Sequence, residues 1–231
     1  ARGYRLYPPD VGAAVDMKLQ CKDLLAAVVI CACVSYVHSC SCVISHPQEQ
    51  ACRSDFVLVV RIRNELKSGL GYKIKVKREL KVKEKAAFAL RKGVLWTNSQ
   101  NGTCGFSLAK KGTYLVAGRL QGRKPYLSYC DFRAEWRTLT PRQKKGFKLL
   151  YYNNCRCSIQ DCPPWMYCPA LPPACNWSTA WERLDCEGKH AVCMQHEDGS
   201  CKWKFAKKYF SCSKALKRLK KNLLRSRKNR L

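Results

Sequence analysis

Negative charge is what this chain has least of. Sixteen Asp and Glu stand against 44 Lys and Arg in 231 residues, a formal net charge of +28. No acidic residue follows Asp198, whereas Lys and Arg continue to Arg230. Histidine is also scarce, with four in the chain. There is no His-Glu-x-x-His motif, no phosphate-binding glycine loop and no Ser/His/Asp constellation, which argues against the common hydrolase and nucleotidase chemistries. Cys-x-x-Cys pairs are missing too. The close cysteine pairs, Cys40-Ser-Cys42 and Cys155-Arg-Cys157, have one-residue spacers that fit structural zinc poorly. After the first forty residues no apolar run spans a bilayer, so no transmembrane segment is expected. No internal repeat is evident.

Cysteine, in contrast, is abundant, and processing explains its number. Met17, Lys18 and Lys22 precede the apolar run "LLAAVVICACV", and Val37 and Ser39 follow at the −3 and −1 positions of a cleavage site. Residues 17–39 therefore read as a secretory signal peptide, too short and wrongly flanked for an anchor. Residues 1–16 read as upstream translated sequence or a cloning remnant. Cleavage after Ser39 removes three of the 17 cysteines and leaves fourteen, beginning with Cys40. An even number in a secreted chain reads as a disulfide framework.

Charge then indicates partners. Residues 1–39 hold four Lys/Arg and three Asp/Glu, so the remainder keeps 40 minus 13, or +27. For an extracellular protein such a field points to heparan sulfate or other polyanionic matrix. Nucleic acid is the weaker candidate by compartment and is not expected as a partner.

Residues 40–155 have strand character. "FVLVVRIR" is β-branched and apolar, and "YKIKVKREL" sets Ile74 and Val76 between lysines, one face buried and one solvated. "TYLVAGRL" and "KPYLSYCDF" continue the pattern, with breaks at "SGLG", "NSQNG" and "QGRKP". Short strands without long helices between them predict a small antiparallel barrel. One flanking helix is expected at "TLTPRQKKGFKLLYY", with Thr140 as N-cap and Pro141 in the first position. From Cys155 the chain turns rich in Cys, Pro and aromatics, a composition that needs covalent cross-links. Residues 156–212 are read as a small disulfide-rich domain and 213–231 as a basic tail. In that tail Leu216, Leu219, Leu223 and Leu224 fall on one helical face. Its cations Lys217, Arg218, Lys220, Lys221, Arg225, Arg227 and Lys228 are candidates for polyanion binding. It reads equally as a basic amphipathic helix or as a solvated, frayed tail.

The cysteine pattern resembles a known family. Cys40-Ser41-Cys42, then "HPQ" (46–48) and Cys52, is similar to the mature N-terminus of the tissue inhibitors of metalloproteinases. "TCGFSL", "YLVAGR", "LSYCDF", "TPRQKKG", "CRCSIQDCP" and "DGSCKW" continue the likeness in order. The resemblance implies a netrin-like OB-fold barrel as inhibitory domain over 40–155. It implies the pairs Cys40–Cys104, Cys42–Cys130 and Cys52–Cys155, then Cys157–Cys201, Cys162–Cys168 and Cys175–Cys193. Cys186 and Cys212 are left over by that pattern, for a further bridge or for intermolecular links.

The first residues suit inhibition chemically. A catalytic zinc keeps one open position, held by water. A free α-amine has a pKa near ~8 and gives up its proton to a metal at little cost. Backbone N and O of Cys40 would together chelate the zinc of a target protease, while its sulfur is committed to a disulfide. No metal or cofactor of the chain's own is expected. By resemblance, Ser41 points into the primary specificity pocket, where a small hydroxyl favours breadth. Val43 extends the contact along the primed side, and Thr103 and Cys104 form its unprimed half.

Three features depart from the family or add to it. "VIS" stands where proline is common, and the turn in "RNELKSGLGYKIK" is short. Asn101-Gly-Thr is a glycosylation sequon beside the expected contact loop, and reads equally as an Asn-Gly turn. Asn176-Trp-Ser is a second sequon, away from that loop. The rival to inhibition is a basic matrix- or glycosaminoglycan-binding netrin-like protein with no inhibitory activity. A cationic host-defence protein would leave the stapled scaffold unexplained.

Overall fold

The first strand is long because it is buried on both faces. In this computed structural model, which describes residues 40–99, 104–162, 166–169, 173–178 and 185–228, β1 (Phe56–Glu65) is buried from Phe56 to Val60 without interruption. The expected signal peptide and residues 1–16 lie outside the described residues, as do Asn101 and Thr103.

β1 pairs antiparallel with β2 (Gly71–Val82) on one side and with β4 (Thr113–Gln121) on the other. β3 (Val94–Trp96) joins β2 and lies parallel to β5 (Lys124–Tyr126), which returns to β4. The ring β1-β2-β3-β5-β4 closes, and β6 (Arg133–Glu135) adds to the outside of β4. This is the five-stranded OB barrel, and closure removes its open edges. The β1–β2 register shifts three times, with the extra residue Leu80 and then Lys77 in β2 and Arg63 in β1, and these bulges bend the pair around the barrel. At the seam Gly118 is required by space, because a Cβ there would meet the Phe56 ring and the Tyr126 carbonyl at 2.5 Å.

Side chains of β1 alternate between two cores. Phe56, Leu58, Val60 and Ile62 point inward with Tyr72, Leu95 and Val116. Val57 points outward with Leu115 and Ala117 of β4, and there meets Phe147, Tyr151, Ala51 and Val192. The outer core is capped by a helical run whose α-helical start is Pro141–Lys145. Thr140 accepts from the Gln143 backbone and Gln143 reaches back to Thr140, a reciprocal capping box. The run continues as a π-turn over Gly146–Leu150 and a 3-10 turn over Tyr152–Asn154.

Two short helices were not evident in the sequence. α1 (Pro47–Arg53) precedes the barrel, with His46 as N-cap, and α2 (Glu84–Leu90) lies between β2 and β3; the Pro141–Lys145 helix is α3. "KPYLSYCDF" is strand only over Lys124–Tyr126. Beyond it the Asp131 carboxylate accepts from Ser128 N at 2.7 Å and folds the chain into a turn.

The remaining chain adds a parallel pair, β7 (Ser158–Asp161) with β8 (Ala174–Trp177), then α4 (Cys186–His190) and a hairpin of β9 (Ala191–Gln195) and β10 (Cys201–Phe205). Their core is small: Cys157, Ile159, Cys175, Trp177 and Cys193, with Cys201 and Trp203 packed against it. The last described element is α5 (Lys207–Lys228), a helix of 22 residues. No helix among the described residues is long and apolar enough to cross a membrane.

Candidate functional site

Residues 40–45 form an exposed ridge held at alternate positions. Cys40 is bonded to Cys104 and Cys42 to Cys130, with Cα–Cα distances of 5.5 and 5.4 Å. Ser41 between them is exposed, and Val43 is 87% exposed. Cys40 and Cys42 are half-buried while Ser41, Val43 and Ile44 stand exposed beside them. The ridge then enters α1 at His46, which is fully buried.

Both anchors of the ridge are themselves held. Gln50 of α1 donates to the Cys130 carbonyl at 3.2 Å. The turn carrying Cys130 is closed by Asp131, which accepts from Ser128 N and pairs with Arg119 at 3.4 Å. The Arg133 guanidinium lies 4.1 Å from the Phe106 ring centre and 5.0 Å from that of Tyr129, and donates to the Tyr129 carbonyl at 2.6 Å. Phe106 lies two residues after Cys104 and Tyr129 one before Cys130. One side chain therefore clamps together the two loops that receive the ridge's disulfides. Partial burial draws the Arg133 guanidinium below its ordinary range, opposed by Tyr129 and Asp131. Sequence reasoning gave Arg133 no role; its place directly after "CDF" was the only signal.

Hollows flank the ridge. One of about 170 Å³ is lined by Val43, Ser45, Gln50, Arg53, Arg119 and Asp131. Another of about 450 Å³, beside Cys104, is lined by Leu70, Trp96, Asn98, Lys124 and Tyr126. Lys124 Nζ sits 4.4 Å from the Trp96 ring centre, and Tyr126 donates to Asn98 Oδ1. Burial, then the Asp131 charge, pushes the Tyr126 hydroxyl up.

The other disulfides are Cys52–Cys155, Cys157–Cys201, Cys162–Cys168, Cys175–Cys193 and Cys186–Cys212. Among the described residues, one trio of side chains with metal-ligand spacing is Cys157, Cys193 and Cys201. All three sulfurs are already spent in two of these bridges.

The ridge therefore stands between two hollows, and sequence comparison shows the family. Residues 38–203 match the family model described as tissue inhibitor of metalloproteinase. The chain belongs to the tissue inhibitor of metalloproteinase family. Metalloproteinase inhibitor 3 of Scyliorhinus torazame is 30% identical over 178 residues, covering 71% of this chain and 80% of that protein. Metalloproteinase inhibitor 2 of Homo sapiens is 31% identical over 178 residues, covering 71% and 81%. That of Canis lupus familiaris is 32% identical over 181 residues, covering 71% and 81%. The family match ends at 203, so this member's α5 lies beyond it. The candidate contacts Cys40, Ser41, Cys42, Val43 and Cys104 of this family member come together at the ridge, and Thr103 falls outside the described residues. Asn176 sits on β8. Lys217, Arg218, Lys220, Lys221, Arg225, Arg227 and Lys228 all belong to α5.

Proposed function

We propose that this protein is a secreted inhibitor of matrix metalloproteinases or related zinc proteases. In this reading the signal peptide is removed after Ser39, and the freed amine and carbonyl of Cys40 take the open position on the target's zinc. Residues 40–155 are the inhibitory domain, 156–212 the disulfide-rich domain and 213–231 the basic tail. The observation that carries it is the pair of bridges on either side of exposed Ser41. They hold residue 40 in one place before any target arrives, which removes an ordering cost from association. Ser41 enters the specificity pocket, Val43 extends the primed contacts, and Thr103 with Cys104 supplies the other side. The relatives, named as metalloproteinase inhibitors, support the same reading.

The test is inhibition of a small metalloproteinase panel by processed protein beginning at Cys40, beside a variant with one residue added before it and a form with an acetylated amine. Inhibition by the first and its loss in the other two is expected, with unchanged near-ultraviolet circular dichroism. Equal potency in all three would refute the chelation.

A second reading rests on charge. With 40 Lys/Arg against 13 Asp/Glu after Ser39, or +27, the secreted protein is held on heparan sulfate or similar matrix polyanions, concentrating inhibitor where matrix is cut. Salt-insensitive retention on a heparin column would count against it.

A further inference from the structure

The cations of α5 are sorted by the helix itself. At about 100° per residue, Lys214, Lys217, Arg218, Lys221 and Arg225 fall within an arc of roughly 100° and span about 16 Å along the axis. All five are exposed and take part in none of the ion pairs among the described residues. Leu216 and Leu219 lie on the opposite side by the same arithmetic, with Lys220 flanking them. Leu216 is half-buried and Leu219 is 38% exposed.

This stripe is unfavourable for an isolated helix. Lys214 neighbours Lys217 and Arg218 at three and four residues, and Lys221 neighbours Lys217, Arg218 and Arg225 likewise. Like charges at those spacings repel. Compensation by the helix dipole reaches only the last turn, and most of the stripe lies before it. The helix is held from its other end. Cys212 is bonded to Cys186, Tyr209 donates to Glu187 at 3.0 Å, and the Tyr209 ring stacks on Phe205 at 3.9 Å.

We propose that Lys214, Lys217, Arg218, Lys221 and Arg225 form one binding face for a sulfated glycosaminoglycan chain lying along α5. This deepens the polyanion reading above and is independent of protease inhibition. Repulsion along the stripe is relieved when a linear polyanion neutralises it, and bound counterions are released on both sides. An anionic membrane fits less well. A helix lying in an interface buries its apolar face, and burying the leucines would direct these five cations away from the headgroups.

The experiment compares full-length protein on immobilised heparin across a salt series. One variant carries Gln at all five stripe positions. A control carries Gln at exposed Lys85, Lys92, Lys110, Arg123 and Lys148, the same loss of charge elsewhere. The stripe variant is expected to bind at least ~30-fold more weakly at physiological salt. Its slope of log affinity against log salt should fall by roughly 3–5, near ~0.9 for each lost ionic contact. The control should lose less than about threefold and keep its slope. Equal losses in both variants would overturn the proposal in favour of net charge alone. So would binding to desulfated heparin as tight as to heparin, or tighter binding to phosphatidylserine vesicles that survives in the stripe variant. Metalloproteinase inhibition measured in parallel should be equal in wild type and stripe variant. A wild type that does not inhibit sinks the inhibitor reading and leaves this face standing.

Discussion

The side-chain amide of Gln48 and the backbone of Cys193 are joined by two reciprocal hydrogen bonds. Gln48 Nε2 donates to the Cys193 carbonyl at 2.9 Å, and Cys193 N donates to Gln48 Oε1 at 3.0 Å. Nε2 also donates to the Asn154 carbonyl at 3.1 Å. A side chain thus acts as a short strand, tying α1 to β9 across 145 residues of sequence. Because α1 follows the ridge directly, the same bonds fix the base from which Ser41 and Val43 project.

Gln48→Ala leaves these backbone groups buried and unpaired, at a cost of about 2–4 kcal/mol. The expected measurement is a lower denaturant midpoint with unchanged slope, disulfides intact. Gln48→Glu is expected to be worse at neutral pH, since a carboxylate oxygen would then face two carbonyls. A Glu variant as stable as wild type would contradict the bonding scheme.

His46 makes stability depend on acid. Its ring is fully buried beside Trp177 and Trp203, with centroids at 5.3 and 5.2 Å, and Nδ1 accepts from Gln48 N. Nε2 meets only the Glu187 backbone, outside full hydrogen-bond geometry. Burial lowers the imidazole from 6.5 to about 3, opposed in part by the Glu187 backbone. The folded pKa lies below the unfolded one, so this contribution is complete above pH 6.5 and is lost as pH falls toward 3. The slope approaches ~1.4 kcal/mol per pH unit in that window. Between pH 6.5 and 5, above the range where carboxylates titrate strongly, this group should cost wild type about 1.5–2 kcal/mol. His46→Asn keeps a capping acceptor and should flatten the curve there even though its absolute stability is lower. Parallel curves would show that His46 is not the group.

The barrel was legible because its strands carry their own signal. Alternation in "YKIKVKREL" and the apolar run of "FVLVVRIR" follow from which faces are covered. β1 showed no alternation because both of its faces are buried over Phe56–Val60, and a solid apolar run does not tell a strand what lies on its far side. Thr140 and Pro141 announced α3 through local capping chemistry. α1 and α2 gave no such notice, being seven residues each, too short for a helical period to declare itself. At the site, the ridge cysteines stood out by the family resemblance that Cys40, Cys42, "HPQ" and the later motifs carry in order. The clamp of Arg133 between Phe106 and Tyr129, and the bond from Gln50 to Cys130, depend on loops meeting in space, which no local pattern encodes.

Asn176 is placed to stay bare of glycan. Its Nδ2 donates to the Cys168 carbonyl at 2.7 Å, and Oδ1 is buried. Ser178 Oγ of the same sequon is buried as well. A sugar on Nδ2 would have to displace the Cys168 contact and pull the amide out of β8. The secreted protein is expected to carry an unmodified 176 peptide, read by mass spectrometry before and after peptide N-glycosidase in heavy-oxygen water. Label incorporated at Asn176 would refute this.

α5 depends on its bridge more than the barrel does. Closing the span from Cys186 to Cys212, a separation of 26 residues, restricts the unfolded chain by about 3.5 kcal/mol in the entropy model. Inside the folded protein the bridge has a second effect. It holds the start of a helix whose own sequence repels itself along one side, and a helix in a protein owes most of its stability to packing rather than to propensity. Replacing both cysteines by Ser should therefore raise amide hydrogen exchange through 207–228 by tenfold or more, while β1 and β4 stay as protected as in wild type. The double variant should also be monomeric on a non-reducing gel, as should wild type, because Cys186 is 1% exposed and its partner lies within the same chain. Unchanged exchange in α5 would mean that Tyr209, with its stack on Phe205 and its bond to Glu187, holds the helix without covalent help.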